Sequence, residues 1–405
     1  MSPTPKIAII GAGLAGLCLA RLLQQQSVEV FIFEKDTSSS HRTAFGGCLD
    51  LHIGTGQAAI KAAGLWDEYQ KYARYSGQHY IISDEHGHQT LNLRDEAMGR
   101  PEIDRPHLRQ VLLDSLNEGT ICWAHKLTRA DEDRTLHFET PENKDKIEKG
   151  FDLVVGADGA WSKVRSLVCT MPPVYSGVAG YEMWINNPDH DCPGVSEMIG
   201  DGTHLAFGQD GRAFFMQRQT DRRVQVYSFM QKPQDWLRNH GVSDTTDRAQ
   251  VKAYHLREFA GWWPGVREVI EAVDGPIKPR ALHMLHVDTR WSHKHRFTLI
   301  GDAAHLMTPF AGEGVNVALH DSLLLSKEIL ARIDDVDGAA AKYETEMFPR
   351  AETFQQATWN SLRDRFEPGG NERFSKLILQ MAEDVKSGKS VKDGSKPEGD
   401  WTKFM

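Results

Sequence analysis

The chain has only five cysteines in 405 residues, Cys18, Cys48, Cys122, Cys169 and Cys192, and no C-x-x-C pair. That odd, scattered set argues against a disulfide framework or a cysteine zinc site and predicts a reducing, cytoplasmic setting. Basic residues are also in deficit: 47 Lys plus Arg against 56 Asp plus Glu leave a formal net charge of −9. Non-specific nucleic-acid binding draws on a basic footprint, so no nucleic-acid partner is expected. Long apolar runs are missing. The most apolar stretch, residues 7–23, is broken by Gly11, Gly13 and Gly16 and reaches Arg21. It lacks the pattern of a signal peptide, and no segment reaches the roughly 20 apolar residues of a membrane span. What remains is a chain of ordinary composition, 25% charged and 9% aromatic. Its length suggests two to three domains at about 150 residues each.

The pattern opens with a β-rich run at 6–10, a glycine turn, a helical stripe through Leu17, Leu19, Ala20, Leu22 and Leu23, and a second β run at 28–33. That is one βαβ unit. Residues 106–116 read as a helix with proline in the first turn, and 131–149 as a solvated hairpin. Residues 151–155 and 297–300 read as strands buried on both faces. Between about 174 and 230 lie several short β segments separated by Gly, Asp and Asn, which predicts an antiparallel sheet of its own. Helices are expected over 314–330, 339–365 and 372–385, with Pro349 kinking or dividing the middle one. The fold class expected is therefore α/β: a Rossmann-like domain with a parallel sheet, a smaller antiparallel domain and C-terminal bracing helices. The first would be discontinuous, 1–75, 95–173 and 290–335; the second would take 76–94 and 174–289. The helices would occupy 336–385, and residues 386–405, rich in Lys, Ser, Gly and Asp, a flexible tail.

Gly11-Ala12-Gly13-Leu14-Ala15-Gly16 matches G-x-G-x-x-G. The first glycine permits a tight turn, the second lets a pyrophosphate approach the backbone, and the third lets the helix pack on the sheet. The helix beginning there offers unpaired N–H groups and a positive dipole end to phosphate. A strand precedes the motif and a second strand ends in Glu34, placed to accept hydrogen bonds from a ribose. The dinucleotide at this turn could be NAD or FAD. Two later segments choose. Leu153-Val154-Val155-Gly156-Ala157-Asp158-Gly159 is a buried strand entering a Gly-Asp-Gly turn, followed by Ser162, Lys163 and Arg165. Leu299-Ile300-Gly301-Asp302-Ala303-Ala304-His305 is another, preceding Pro309-Phe310-Ala311-Gly312-Glu313-Gly314-Val315-Asn316 and a long helix.

These three segments in this order resemble the group A flavoprotein monooxygenases. Two further stretches, Phe45-Gly46-Gly47-Cys48-Leu49-Asp50-Leu51-His52 and Arg100-Pro101-Glu102-Ile103-Asp104-Arg105-Pro106-His107-Leu108-Arg109, look most like the tetracycline-inactivating branch, the tetracycline destructases. The resemblance implies FAD as bound cofactor and NADPH or NADH as a transient reductant. Glu34, with Lys35 beside it, would hold the adenosine ribose. Arg109 and Asp302 would contact the pyrophosphate and ribitol, with Gly47 and Asp50 near the flavin. Asp158 and Gly159 would serve FAD and the approach of NAD(P)H, and Arg42 a basic contact to NAD(P)H. Gly301 and Pro309 would also belong to the cofactor site, and Gly312, Gly314, Val315 and Asn316 would lie beside the flavin pyrimidine ring. A helix N-terminus there would stabilise the negative charge that two-electron reduction leaves on the N1–C2=O edge.

The resemblance further implies hydroxylation of a polycyclic, phenolic or enolic compound by O2 through a flavin C4a-hydroperoxide, with tetracycline-type antibiotics the most specific candidates. Substrate contacts would come from Glu182, His204, Phe215 and Gln225 on the middle sheet, with Tyr181, Trp184 and Met216 adding wall. Pro309, Phe310 and Gly312 would line the flavin side. The chemistry would be borne by the flavin, with no nucleophilic triad and no metal. Cys48, without a base partner in view, reads as a small packing residue. A monomer is the default. The alternatives are a flavin dehydrogenase or reductase that inserts no oxygen, and a non-catalytic binding protein of the same fold.

Overall fold

The computed structural model describes residues 4–39, 46–75, 79–94, 100–239, 242 and 244–387. Arg42 and residues 388–405 of the expected tail lie outside them. The chain is α/β. A five-stranded sheet runs in the order Phe297–Leu299, Leu153–Gly156, Lys6–Ile10, Glu29–Phe33, Ile121–Cys122, and every neighbouring pair is parallel. Its central strands are apolar on both faces because helices cover both sides, as parallel sheets require. Ile7, Ile9, Val154 and Leu299 are fully buried in one core with Leu17 and Leu19 of helix Leu14–Gln24 and with Leu319 of helix Gly314–Ala331.

The second sheet has seven strands, ordered Lys278–Met284, Val174–Ile185, Val224–Gln231, Arg212–Arg218, Thr203–Phe207, His79–Asp84, Gln89–Arg94. It is antiparallel except where Thr203–Phe207 runs beside His79–Asp84. One face carries Tyr181, Met183, Met216 and Val226 against the helices Arg248–Glu258 and Pro264–Ala272. The other carries Phe215, Tyr227 and Phe229 toward Phe310 and the C-terminal helices. The stretch expected as a solvated hairpin forms the antiparallel pair Leu136–Glu139 and Lys146–Glu148, extended by Lys126–Ala130. It is not solvated throughout, because Leu136 and Phe138 are fully buried in the core of the parallel sheet.

Pro349 was expected to kink or divide its helix; it does not divide it, since Val336–Phe366 is one helix of 31 residues. Pro349 is exposed, so the Thr345 carbonyl it leaves without a helical donor faces water, while Tyr343, Met347 and Ala351 keep the inner face buried. Expectation and structure agree more closely for Gly314–Ala331, a helix of 18 residues.

Packing is close at the first turn. A Cβ on Gly16 would lie 2.2 Å from the Gly11 carbonyl oxygen and 3.2 Å from Cγ2 of Ile9. Gly16→Ala should therefore cost about 1–3 kcal/mol by overpacking. A lowered urea midpoint with unchanged slope is the expected result, and an unchanged midpoint would contradict the close approach.

Candidate functional site

The glycine turn leaves strand Lys6–Ile10 with Gly11 at φ +109, where a side chain would strike the Ala157 carbonyl at 2.5 Å. Helix Leu14–Gln24 starts at Gly13 with no side-chain cap, and a Cβ on Gly13 would meet nothing nearer than 4.0 Å. Leu14 and Ala15 turn their side chains into the core, so only their backbones are available to a ligand. Glu34 is 2% exposed; its carboxylate accepts from Ala12 N–H at 2.6 Å and Asp36 N–H at 3.0 Å. Lys35 is exposed. Arg109, on helix Arg105–Asp114, donates to the carbonyls of Ala12 and Ser39 at 3.2 and 3.0 Å and lies over Trp123. Gly11, Gly13, Glu34 and Arg109 thus share one end of the parallel sheet.

The two acidic turns reach the same end. Asp158 accepts from Lys163 N–H at 2.7 Å, and Gly159, at φ +77, has open space where a Cβ would stand. Arg165 joins the turns, donating to the carbonyls of Ala160, Ala303 and Asp302 at 2.5, 3.0 and 3.3 Å. Gly301 has φ +60, and Asp302, exposed, opens the short helix Asp302–His305. Beneath them Asp321 is fully buried: it accepts from Gly301 N–H at 2.9 Å, His305 at 2.5 Å and Arg350 at 2.7 Å. Burial alone would raise the Asp321 carboxyl, but the charge and hydrogen bond of His305, then Arg350 and the Gly301 N–H, hold it down at about 2.

Helix Gly314–Ala331 also begins without a side-chain cap, after Gly312 in the left-handed conformation at φ +72. No heavy atom lies within 4 Å of a Cβ placed on Gly314. Asn316 is fully buried; its Oδ1 accepts from His52 N–H at 2.8 Å and its Nδ2 donates to the Asp50 carbonyl at 2.9 Å. Val315 is buried beside it, and Pro309 is exposed. Asp50 belongs to strand Cys48–Asp50, which pairs with Glu102–Asp104. Next to it, a Cβ on Gly47 would come within 2.7 Å of Gln217 Oε1, 2.9 Å of Gln225 Oε1 and 3.3 Å of the Tyr227 hydroxyl. The cofactor-side loop therefore abuts the second sheet.

On that sheet Glu182 and Gln225 are buried and joined, Gln225 Nε2 donating to Glu182 at 2.7 Å; Arg280 Nε donates to the other carboxylate oxygen at 2.8 Å. Phe215 and Phe229 stand edge-to-face with Phe310 at 6.1 and 5.5 Å. His204 does not join them. Cross-strand pairs His204↔Met216↔Val226 put it on the opposite face with Met216 and Tyr181. There its ring nitrogens contact Ser83 Oγ at 2.8 Å and the Met198 carbonyl at 3.1 Å. Burial lowers its pKa to about 4. The expectation that His204, Tyr181 and Met216 line the substrate side is corrected accordingly. Trp184, by contrast, pairs with Gln225 and shares its face.

Sequence reasoning passed over His52, Glu313, Arg280 and Asp321. The first two lie inside quoted motifs; the other two carried no local signal. Cys48, read as packing, sits among polar groups: its thiol is 3.0 Å from Asp104 Oδ1 and 2.7 Å from Arg74. Burial, with Glu102 nearby, pushes that thiol well above its ordinary value, so it remains protonated.

A parallel sheet whose one end gathers a glycine turn, a buried acid and two uncapped helix starts is a dinucleotide-binding protein. The family model described as "FAD binding domain" matches residues 4–358, and the chain belongs to this family, the group A flavin monooxygenases. It is similar to the Monooxygenase penA of Penicillium thymicola, with 31% identity covering 92% of this chain and 98% of that one. Among solved structures it is similar to Klebsiella pneumoniae HpxO complexed with FAD and uric acid (TM-score 0.76, 19% identity, 96% and 98% covered). It is also similar to the tetracycline destructase Tet(55) (TM-score 0.71, 20% identity, 95% and 98% covered). FAD is the cofactor, and the residues fit it: open cradles at Gly13, Gly159 and Gly314 suit close backbone approach, and Glu34 suits a ribose. No helix among the described residues is long and apolar enough to cross a membrane.

Asp321→Ala should cost roughly 3–5 kcal/mol, because it leaves the buried His305 and the partly buried Arg350 without their anion. The depressed carboxyl contributes stability that is present above the ordinary carboxylate value and lost as pH falls toward 2. The acid limb of an unfolding-versus-pH curve should flatten in the variant; an unchanged limb would contradict the assignment.

Proposed function

We propose that this monooxygenase takes two electrons from NADPH or NADH and inserts one atom of O2 into a polycyclic, phenolic or enolic compound. The balance is substrate C–H plus O2, NAD(P)H and a proton giving C–OH, NAD(P)+ and water. The observation that supports it best is that two cofactor-side segments meet one face of the second sheet, Gly47 against Gln225 and Tyr227 and Phe310 against Phe215 and Phe229. Bound FAD would supply the electron storage and oxygen activation that side chains lack.

A division of labour goes with this reading. Residues 1–75, 95–173 and 290–335 would hold the cofactor, and 76–94 with 174–289 would cover the substrate. The turn at Gly11, Gly13 and Gly16 would take the pyrophosphate on backbone N–H groups. Glu34 would take the ribose, and Arg109 and Asp302 the pyrophosphate and ribitol. The start of helix Gly314–Ala331 would stabilise negative charge delivered to it. Phe215, Phe229 and Phe310 would keep water out, and the Glu182–Gln225 pair would orient a polar substituent of the substrate. The likeness of residues 45–52 and 100–109 to the tetracycline-inactivating branch makes tetracycline-type rings the first polycyclic compounds to try, and uric acid, bound by one structural neighbour, the first small heterocycle.

Oxygen uptake and product mass with NADPH test the reading. Substrate-stimulated uptake with a gain of one oxygen atom is expected; loss of two hydrogens without oxygen gain would mark a dehydrogenase and overturn it. Asp302→Ala should weaken FAD binding about tenfold or more, as for a lost charged hydrogen bond. Glu182→Gln should raise substrate KM with flavin content unchanged, whereas His204→Ala should leave KM near the wild-type value. A normal flavin affinity in the first variant, or a KM effect confined to the last, would contradict the map.

A further inference from the structure

His52 has both ring nitrogens on carboxylates. Nε2 lies 3.0 Å from Oδ2 of Asp50, and Nδ1 lies 3.2 Å from Oε2 of Glu313. An ionised carboxylate only accepts, so the Asp50 hydrogen bond needs a proton on Nε2, and a second proton on Nδ1 gives the ring the positive charge that pairs with Glu313. The side chains of His52, Asp50 and Glu313 are 11, 25 and 17% exposed, enough shielding for their charges to be felt locally. The backbone repeats the connection, since His52 N–H donates to Asn316 and Asn316 donates to the Asp50 carbonyl. Ring and backbone together fasten the 50–52 segment to the start of helix Gly314–Ala331.

Glu313 occupies the N-cap position of that helix but does not cap it. With Asp50 beside it, two negative charges border a helix start that, in the proposed function, receives negative charge from the reduced pyrimidine edge. Left alone, these acids would oppose the reduction that the helix dipole favours. The charged groups acting on His52 are Glu313, Arg100 and Asp50. Burial lowers its pKa, Glu313 raises it, Arg100 lowers it and Asp50 raises it, and the acids prevail at about 9.

We propose that His52 is a positioning residue of the flavin site: a cation held between Asp50 and Glu313 that offsets their charge at the helix start and so makes bound FAD easier to reduce. This rests on the FAD placement proposed above.

The test is the reduction potential of FAD in the holoenzyme, measured with saturating flavin in wild type, His52→Gln, Glu313→Gln and the double variant. His52→Gln should shift the oxidised-to-reduced partition about tenfold toward oxidised, ~30 mV for a two-electron couple. Glu313→Gln should shift it the other way, and the double variant should return toward wild type. As pH rises through about 9 the wild-type potential should fall more steeply, a bend absent from His52→Gln. A merely structural histidine would change melting temperature or flavin affinity and leave the potential unmoved, which would overturn the proposal. So would an unchanged potential in Glu313→Gln, which keeps the test open if His52→Gln does not fold. Wild-type protein unable to take up FAD would instead fail the functional reading beneath it, and the proposal with it.

Discussion

Asn316 is completely buried, and both ends of its side-chain amide are satisfied by the 50–52 segment. A buried amide left without either partner would cost its full desolvation, so the pairing holds the helix start and the loop in one register. The rest of the site depends on it. Where the loop goes, Gly47 goes, and Gly47 is the point of contact with Gln217, Gln225 and Tyr227 of the second sheet. One hydrogen-bonded clasp thus sets the spacing between the surface that would receive a flavin and the surface that would receive its substrate.

The acidic turns are held by a different device. Arg165 ties one to the other through three carbonyls, and Asp321 carries the Gly301 N–H from below with His305 and Arg350 balancing its charge. Buried ions are poor sources of net stability, but they define geometry because each unpaired alternative is expensive. The exposed Asp302 is thereby left on a rigid base at the start of the helix Asp302–His305.

The cofactor side was legible in the sequence because its signals are local. Gly11, Gly13 and Gly16 sit between one strand and one helix, and Glu34 ends the next strand, so neighbours in sequence are neighbours in space. The second sheet was legible as a sheet but not by face. Side chains alternate with period two, so a shift of one residue sends a side chain to the opposite surface. That is how His204 was placed with Gln225 when Leu205 holds the inward position. Arg280 and Glu313 escaped notice for another reason: each matters through a partner distant in the chain. Pro349 shows the same limit, since its effect on the helix depends on which side meets water.

The central claim is that the glycine turn, the two acidic turns and the large sheet surround one FAD. The most direct measurement is the electron density of a crystal grown with FAD. The account predicts the adenosine ribose at Glu34, the pyrophosphate at the start of helix Leu14–Gln24, and the isoalloxazine between the Gly312–Asn316 segment and the Tyr227 face. Density for the ring system elsewhere, away from the Gly312–Asn316 segment and the Tyr227 face, would contradict it.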